Sequence, residues 1–380
     1  MKIEAVRHPP FATRHPPSAP MPHPTVIQTQ ESVAKALDQA LRRAIAQERD
    51  NPLTVDVDSA RLVFFSDHHK GSRNGADDFQ ICEKAYNAAL AYYFRHGYTL
   101  VLLGDAEELW EETPKAVTRA YAHTFALEGK FHRAGRYIRL WGNHDDNWRY
   151  PDQVARWLEP ALGGGPLQVQ EQLLIRVTEG ETELGRFFLV HGHQGTVESD
   201  FVAPISKFIV RYLWRPFQRI FKISLNTPAN DFQLRYEHDS TMYFWSEAQE
   251  KTVLIAGHTH RPVFKSESHE EKIRKAMEKV EKALEKDPEN PDLIAEAAEL
   301  SARLEWVMVQ NGQTGGELPP IELKKPSYFN TGCCTFYDGD VTGIEIRDGQ
   351  IRLVRWPDDA GEPRPKILAT ADLREVFAAC

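Results

Sequence analysis

The stretch LIAGHTHRP (254–262) places His258 and His260 one residue apart, directly after an apolar run that reads as a buried strand. The same shape occurs in FFSDHHKGS, which delivers Asp67 and His69, and in FFLVHGHQGT, which delivers His191 and His193. Two more apolar runs end in LLGDAEELW and RLWGNHDD, bringing Asp105, then Asn143 and His144, to equivalent places. One Asp or His past a strand is an ordinary turn former. Five strand ends that each supply Asp, Asn or His form a set, because chance turn residues would include Ser, Gly and Lys as often as metal-ligand types.

Imidazoles mixed with carboxylates and one amide oxygen, without thiolate, suit manganese, iron, cobalt or zinc better than a soft metal or calcium. About seven such ligands are too many for one tetrahedral zinc and fit two ions about 3.5–4 Å apart that share a carboxylate. Two divalent cations neutralise phosphoryl oxygens and acidify water, which opens phosphate esters to hydrolysis near neutral pH. The leaving oxygen needs a proton, and His144, beside Asn143, is placed to give one. Glu108 or Asp145 could accept a hydrogen bond from His144 and keep it cationic. Alternation along an extended segment turns His68 away from Asp67 and His69, into the core or a supporting place, and gives His193 the side of His191.

In order, D-x-H (Asp67, His69), G-D-x-x-E (Gly104, Asp105, Glu108), G-N-H-D (Gly142 to Asp145), H-G-H (His191 to His193) and G-H-T-H (Gly257 to His260) resemble the calcineurin-like metallophosphoesterase superfamily. The resemblance implies a layered α/β fold, with mixed β-sheets flanked by helices. It also implies one metal on Asp67, His69 and His260, a second on Asn143, His191 and His258, and Asp105 bridging. The cofactors would be two divalent ions, manganese first, with iron, zinc and cobalt as alternatives. Protein phosphatases of the superfamily carry D-R-G where this chain has GDAEELW. Glu108 and Trp110 look closer to the branch containing UDP-2,3-diacylglucosamine pyrophosphatase, although His144 stands where that branch has arginine and His193 where it has aspartate. The implied reaction is hydrolysis of a phosphoester or pyrophosphate, with a phosphorylated lipid or nucleotide-sugar lipid as substrate. Asn330 and Gly332, in YFNTGCC, resemble the N-T-G turn that follows G-H-x-H in such proteins and are expected to fix a loop beside the site.

The elements that must carry these residues alternate. RLVFF (61–65), a helix over 77–96, YTLVLL (98–103), a helix over 115–132 and YIRLW (137–141) imply βαβ crossovers. LLIRV (173–177) and RFFLV (186–190) read as a hairpin that makes the sheet mixed, and TVLIA (252–256), PSYFN (326–330), VTGIEIR (341–347) and QIRLVRW (350–356) follow. Asp348 and Gly349 between the last two are a two-residue hairpin signal. Before them, Val33, Leu37, Leu41 and Ile45 mark an amphipathic helix over 32–49.

The domain is expected over 31–360, behind a disordered proline-rich arm (1–30) and ahead of a C-terminal tail (361–380). Two helical insertions interrupt it. The first, a cap over 199–250, holds bulky apolar residues beside Lys207, Arg211, Arg215 and Arg219, with Pro216 expected to kink its helix. Such a face suits an anionic membrane surface or a phosphorylated amphiphile, or packs on the sheet. The second, over 267–310, is a hairpin with Ile273, Met277, Val280, Leu284, Leu293, Ile294, Leu300 and Leu304 available for one seam.

Composition narrows the remaining classes. The net charge of −9 argues against nucleic acid as a partner. Apolar residues at 41% and charged residues at 27% are globular values, and no run reaches the roughly 18 apolar residues of a membrane span. Cys82, Cys333, Cys334 and Cys380 lack the spacing of a disulfide framework, so a cytoplasmic setting, with peripheral membrane contact through 199–228, is expected. A phosphoesterase fold kept as a catalytically silent scaffold is the alternative.

Overall fold

The computed structural model describes residues 24–50, 52–195, 232–288, 290–310, 324–358 and 361–380. Helix α1 (Pro24–Asp50) starts on proline, whose missing N–H is harmless at a helix start, and takes in the end of the segment assigned to the arm. Its buried stripe is Val33, Leu37, Ala40 and Ala44. Leu41 and Ile45 flank that stripe, because strict four-residue steps drift around a helix of 3.6 residues per turn.

Strands β1 (Thr54–Asp56) and β2 (Arg61–Phe65) precede α2 (Phe79–Arg95), β3 (Thr99–Leu103), α3 (Pro114–Ala120), α4 (Ala122–Arg133) and β4 (Tyr137–Leu140). Short helical turns over 146–161 lead to β5 (Val169–Gln170), β6 (Gln172–Glu179) and β7 (Thr182–Val190). Then come α5 (Phe232–Glu247), β8 (Thr252–Ala256), β9 (Pro262–Phe264), β10 (Glu267–Ser268), α6 (His269–Leu284) and α7 (Pro291–Gln310). The chain closes with β11 (Tyr328–Thr331), β12 (Val341–Arg347), β13 (Gln350–Trp356), β14 (Lys366–Asp372) and α8 (Leu373–Ala379). The helix expected over 115–132 breaks at Tyr121, whose hydroxyl donates to Asp77 Oδ2 at 2.8 Å and whose ring lies under the Arg73 guanidinium.

Among the described residues the strands form two seven-stranded sheets, ordered β1-β6-β7-β8-β11-β9-β10 and β14-β13-β12-β2-β3-β4-β5. Strands β2 to β5 run parallel, with β12 antiparallel to β2. The β6–β7 hairpin and β8 therefore extend a different sheet from β2, β3 and β4, rather than one mixed sheet. Alternation along β2 explains the layering. Leu62 and Phe64 pack between the sheets with Phe187, Val253 and Phe329, while Val63 and Phe65 face the cluster formed with α2 and α4. Helices α1 and α5 cover the outer face of the other sheet. In the β12–β13 turn, Asp348 (φ 52°) and Gly349 (φ 72°) are both left-handed, as a two-residue hairpin requires.

Residues 366–379 form a strand and a helix of the domain rather than a tail. β14 pairs with β13, Asp372 caps α8, and Leu373, Val376 and Phe377 are buried between the sheets. Val376→Ala is expected to cost about 1–2 kcal/mol in chemical denaturation, at about 0.8 kcal/mol per buried methylene-sized group. A change within about 0.5 kcal/mol, usual for a surface site, would return this helix to solvent. The α6–α7 hairpin closes on Ile273, Val280 and Leu300, with Met277, Leu284, Leu293 and Leu304 at its margins. Ile294, expected in that seam, is 50% exposed, since the adjacent Leu293 takes the inward position. The basic stripe and Pro216 of 199–228 lie outside the described residues. No helix among the described residues is long and apolar enough to cross a membrane.

Candidate metal centre

Strands β2, β3 and β4 of one sheet and β7 and β8 of the other deliver the predicted residues from their C-terminal ends, where loops of an α/β fold converge. His260 Nε2 lies 3.3 Å from Asp67 Oδ1 and 3.3 Å from His69 Nε2. His191 Nε2 lies 3.0 Å from Asp105 Oδ2, and His69 Nε2 lies 3.9 Å from both Asp67 Oδ1 and Asp105 Oδ2. Three groups of side chains each bring ligand atoms within 4.8 Å of one another: Asp67, His69 and His260; Asp105, His191 and His258; and His69, Asp105 and His144. Asp105 joins the second and third groups, and His69 the first and third.

These side chains fit a cation. Asp67 Oδ1 and Asn143 Oδ1 are buried with no hydrogen-bond partner among the described residues. Buried oxygens of that kind are costly unless something positive meets them. The backbone shows a further cost: Asp67, His69, Asp105, His258 and His260 all have φ between 48° and 71°, a region side chains other than glycine rarely adopt. Five of the seven predicted ligands are thus held in strained conformations, the kind that concentrate at functional sites. Gly257 allows the close approach of two strand ends, because a Cβ there would meet Ser66 Oγ at 2.3 Å and Asp67 Oδ2 at 2.5 Å.

Electrostatics follow from the same packing. Burial opposes charge on His191, but Asp105 and Asp67 outweigh it and push the imidazole up to about 9, so this pocket attracts positive charge. His191 Nδ1 faces the carbonyl oxygen of Leu103 at 3.0 Å, which fixes the proton on Nδ1 and turns Nε2 toward the site. Burial holds His258 well below the ordinary histidine range and lowers His260, leaving both neutral, the form that binds metal.

His144 Nδ1 lies 2.7 Å from Glu108 Oε2, and the same oxygen lies 3.2 Å from His69 Nδ1. Burial penalises charge on Glu108, but His144 and His69 overcome it and draw the carboxyl down to about 2. The other candidate partner for His144 is placed differently. Asp145 accepts from the backbone N–H groups of Gly142 (2.7 Å), Ala106 (3.0 Å) and Asp105 (3.2 Å), so it ties two strand-end loops together. His68 sits in the core against Phe65, Phe79 and Tyr86. His193 is buried beside His191 and Trp141. Asn330 Nδ2 donates to Gly257 O at 2.6 Å, and its Oδ1 accepts from Gly332 N at 2.9 Å, which fixes the loop carrying His258.

A family model for calcineurin-like phosphoesterases matches residues 60–294, which include all five strand-end motifs. The chain belongs to the calcineurin-like phosphoesterase family. No curated protein sequence matches it. Among solved structures it is similar to vacuolar protein sorting 29 from Cryptosporidium parvum, at 9% identity and a TM-score of 0.30 over 82% of this chain and 98% of that one.

Sequence reasoning missed a buried network of charged side chains behind this cluster. Lys70, Glu107, Glu128, Arg139 and Asp145 are all fully buried. Lys70 Nζ lies 2.7 Å from Glu128 Oε1 and 3.2 Å from Glu107 Oε1. Arg139 pairs closely with Glu107 and lies 3.5 Å from Asp145 Oδ2. Trp148 and Tyr137 donate to Glu107 and Glu128 at 2.7 Å and 3.0 Å. Through Asp145 the network reaches the backbone of Asp105. Its signal in the sequence was Arg139, a lone cation inside the apolar strand YIRLW.

Proposed function

We propose that this family member is a phosphohydrolase that uses two divalent cations to cleave a phosphoester or pyrophosphate bond. The observation that carries the reading is the convergence of two separate ligand groups, Asp67–His69–His260 and Asp105–His191–His258, around shared strand ends. Asp67, His69 and His260 would hold one ion, Asn143, His191 and His258 the other, with Asp105 between them. When bound, the ions neutralise the phosphoryl oxygens and acidify the attacking water. His144 gives the departing oxygen its proton, and Glu108 holds the opposite ring nitrogen. The donor set favours manganese, with iron, zinc or cobalt able to replace it.

The substrate in this reading is a phosphorylated lipid or nucleotide-sugar lipid, met at the cytoplasmic face of a membrane. Its support is the composition of 199–228, where Lys207, Arg211, Arg215 and Arg219 accompany bulky apolar residues.

Metal-stripped protein given Mn²⁺ is expected to take up two ions per chain by elemental analysis and to hydrolyse 4-nitrophenyl phosphate, both reversed by chelation. It should also gain about 2.7 kcal/mol of stability per bound ion when free Mn²⁺ is 100 times the dissociation constant. A panel of phosphomonoesters, cyclic nucleotides, nucleotide-sugars and phospholipids then identifies the substrate class. Two bound ions without turnover of any member would favour the silent scaffold, and no bound ions would sink the metal reading.

A further inference from the structure

We propose that Trp110 is a positioning residue that holds the ring of His144 in the orientation from which it protonates the leaving oxygen. The inference rests on the reading of His144 as proton donor and adds what fixes it there.

The geometry is a clamp built from one short segment. The indole of Trp110 lies flat on the His144 imidazole, with ring centroids 4.4 Å apart and planes within 17°. Trp110 Nε1 donates to Asn143 O at 2.5 Å, which stops the indole from turning. The backbone N–H of Trp110 donates to Glu108 Oε1 at 3.2 Å, while Glu108 Oε2 faces His144 Nδ1 at 2.7 Å. One tripeptide, Glu108 to Trp110, therefore holds the imidazole by its face and by one edge. The opposite edge of the ring carries Nε2.

Packing alone does not account for Trp110. It is only partly buried and belongs to none of the hydrophobic core clusters.

In the step concerned, the water oxygen forms a new bond to phosphorus as the bond to the leaving oxygen breaks with its electron pair. That oxygen takes the proton from His144 Nε2, and the proton released by water restores the imidazolium for the next turnover. Help of this kind matters most when the leaving group is a poor one. Phenolate is far poorer than 4-nitrophenolate, so the two esters separate proton donation from the rest of catalysis.

The test compares wild type, Trp110→Leu, Trp110→Phe and His144→Ala, loaded with Mn²⁺, on phenyl phosphate and 4-nitrophenyl phosphate. Trp110→Leu fills space without a flat ring and is expected to lower kcat on phenyl phosphate by about 10–100-fold, a part of the roughly 100–10,000-fold that general acid catalysis supplies. It should change kcat on 4-nitrophenyl phosphate less than about 3-fold and leave KM alone, on the same general-acid argument. Trp110→Phe keeps the stack and is expected to restore most of the loss.

A readout independent of turnover uses ¹⁵N-histidine NMR of the same proteins loaded with diamagnetic Zn²⁺ in place of Mn²⁺. An imidazole N–H signal, assigned by its loss in His144→Ala, should be sharp in wild type and Trp110→Phe and broadened by exchange in Trp110→Leu. An unchanged signal together with equal effects on the two esters in Trp110→Leu overturns the inference, provided His144→Ala still discriminates between them. If His144→Ala itself affects both esters equally, His144 is not the proton donor, and the reading beneath the inference fails instead.

Discussion

Asp105→Asn is expected to cut Mn²⁺-dependent hydrolysis by more than about 100-fold, since replacing residues that merely hold metal ligands already costs 10–100-fold. Asp105 receives from both sides of the cluster. Its Oδ2 lies 3.0 Å from His191 Nε2 and 3.9 Å from His69 Nε2, while its Oδ1 accepts from the backbone N–H of His144 at 2.8 Å. Burial works against ionisation here, but His191 and His144 outweigh it and hold the carboxyl well below its ordinary range. Asparagine keeps one oxygen for the His144 N–H and removes the charge that two cations would share. Elemental analysis should show fewer than two ions per chain, with the thermal midpoint of the metal-free protein little changed. If Asp105→Asn bound two ions as tightly as wild type, a bridging role for this carboxylate would be untenable.

The second large effect is on stability. Glu107→Gln is expected to destabilise the fold by about 3–5 kcal/mol at pH 7, the usual result of removing one partner from a buried ion pair. Arg139 and Lys70 are both fully buried, and each would lose its contact with a charged Glu107. Against a typical total of about 5–15 kcal/mol this is severe.

The pH dependence gives an internal control. Burial penalises charged Glu107, but Arg139 and Lys70 overcome it and lower the carboxyl from its ordinary 4.5. An acid whose folded-state pKa is lowered contributes stability that is fully present above the unfolded pKa and is lost as pH falls through the folded one. Urea denaturation should therefore show the full deficit of Glu107→Gln at pH 7 and a shrinking deficit as pH drops below 4.5. A deficit independent of pH would mean that shape rather than charge holds this site.

Much of the candidate centre was legible in one dimension because its signal is local. A short apolar run followed by Asp, Asn or His names both a strand and the chemistry at its end, and Asp67, His69, Asp105, Asn143, His191, His258 and His260 all announce themselves in this way. The Asp348–Gly349 turn and the α6–α7 hairpin were equally readable, from turn chemistry and helical period. Residues 361–380 were misjudged because a short edge strand and a seven-residue helix carry little periodicity of their own.

Sequence by itself determined which residue types stand at the ends of the strands and what reaction such types could support. Only the tertiary structure decided that β2, β3 and β4 belong to one sheet and β7 and β8 to another, that Glu108 rather than Asp145 faces His144, and that Lys70, Glu107, Glu128 and Arg139 lie buried behind the site. The reason is physical. Strand identity depends on neighbouring residues, whereas sheet membership, side-chain partners and the balance of buried charge depend on groups separated by tens of positions in the chain.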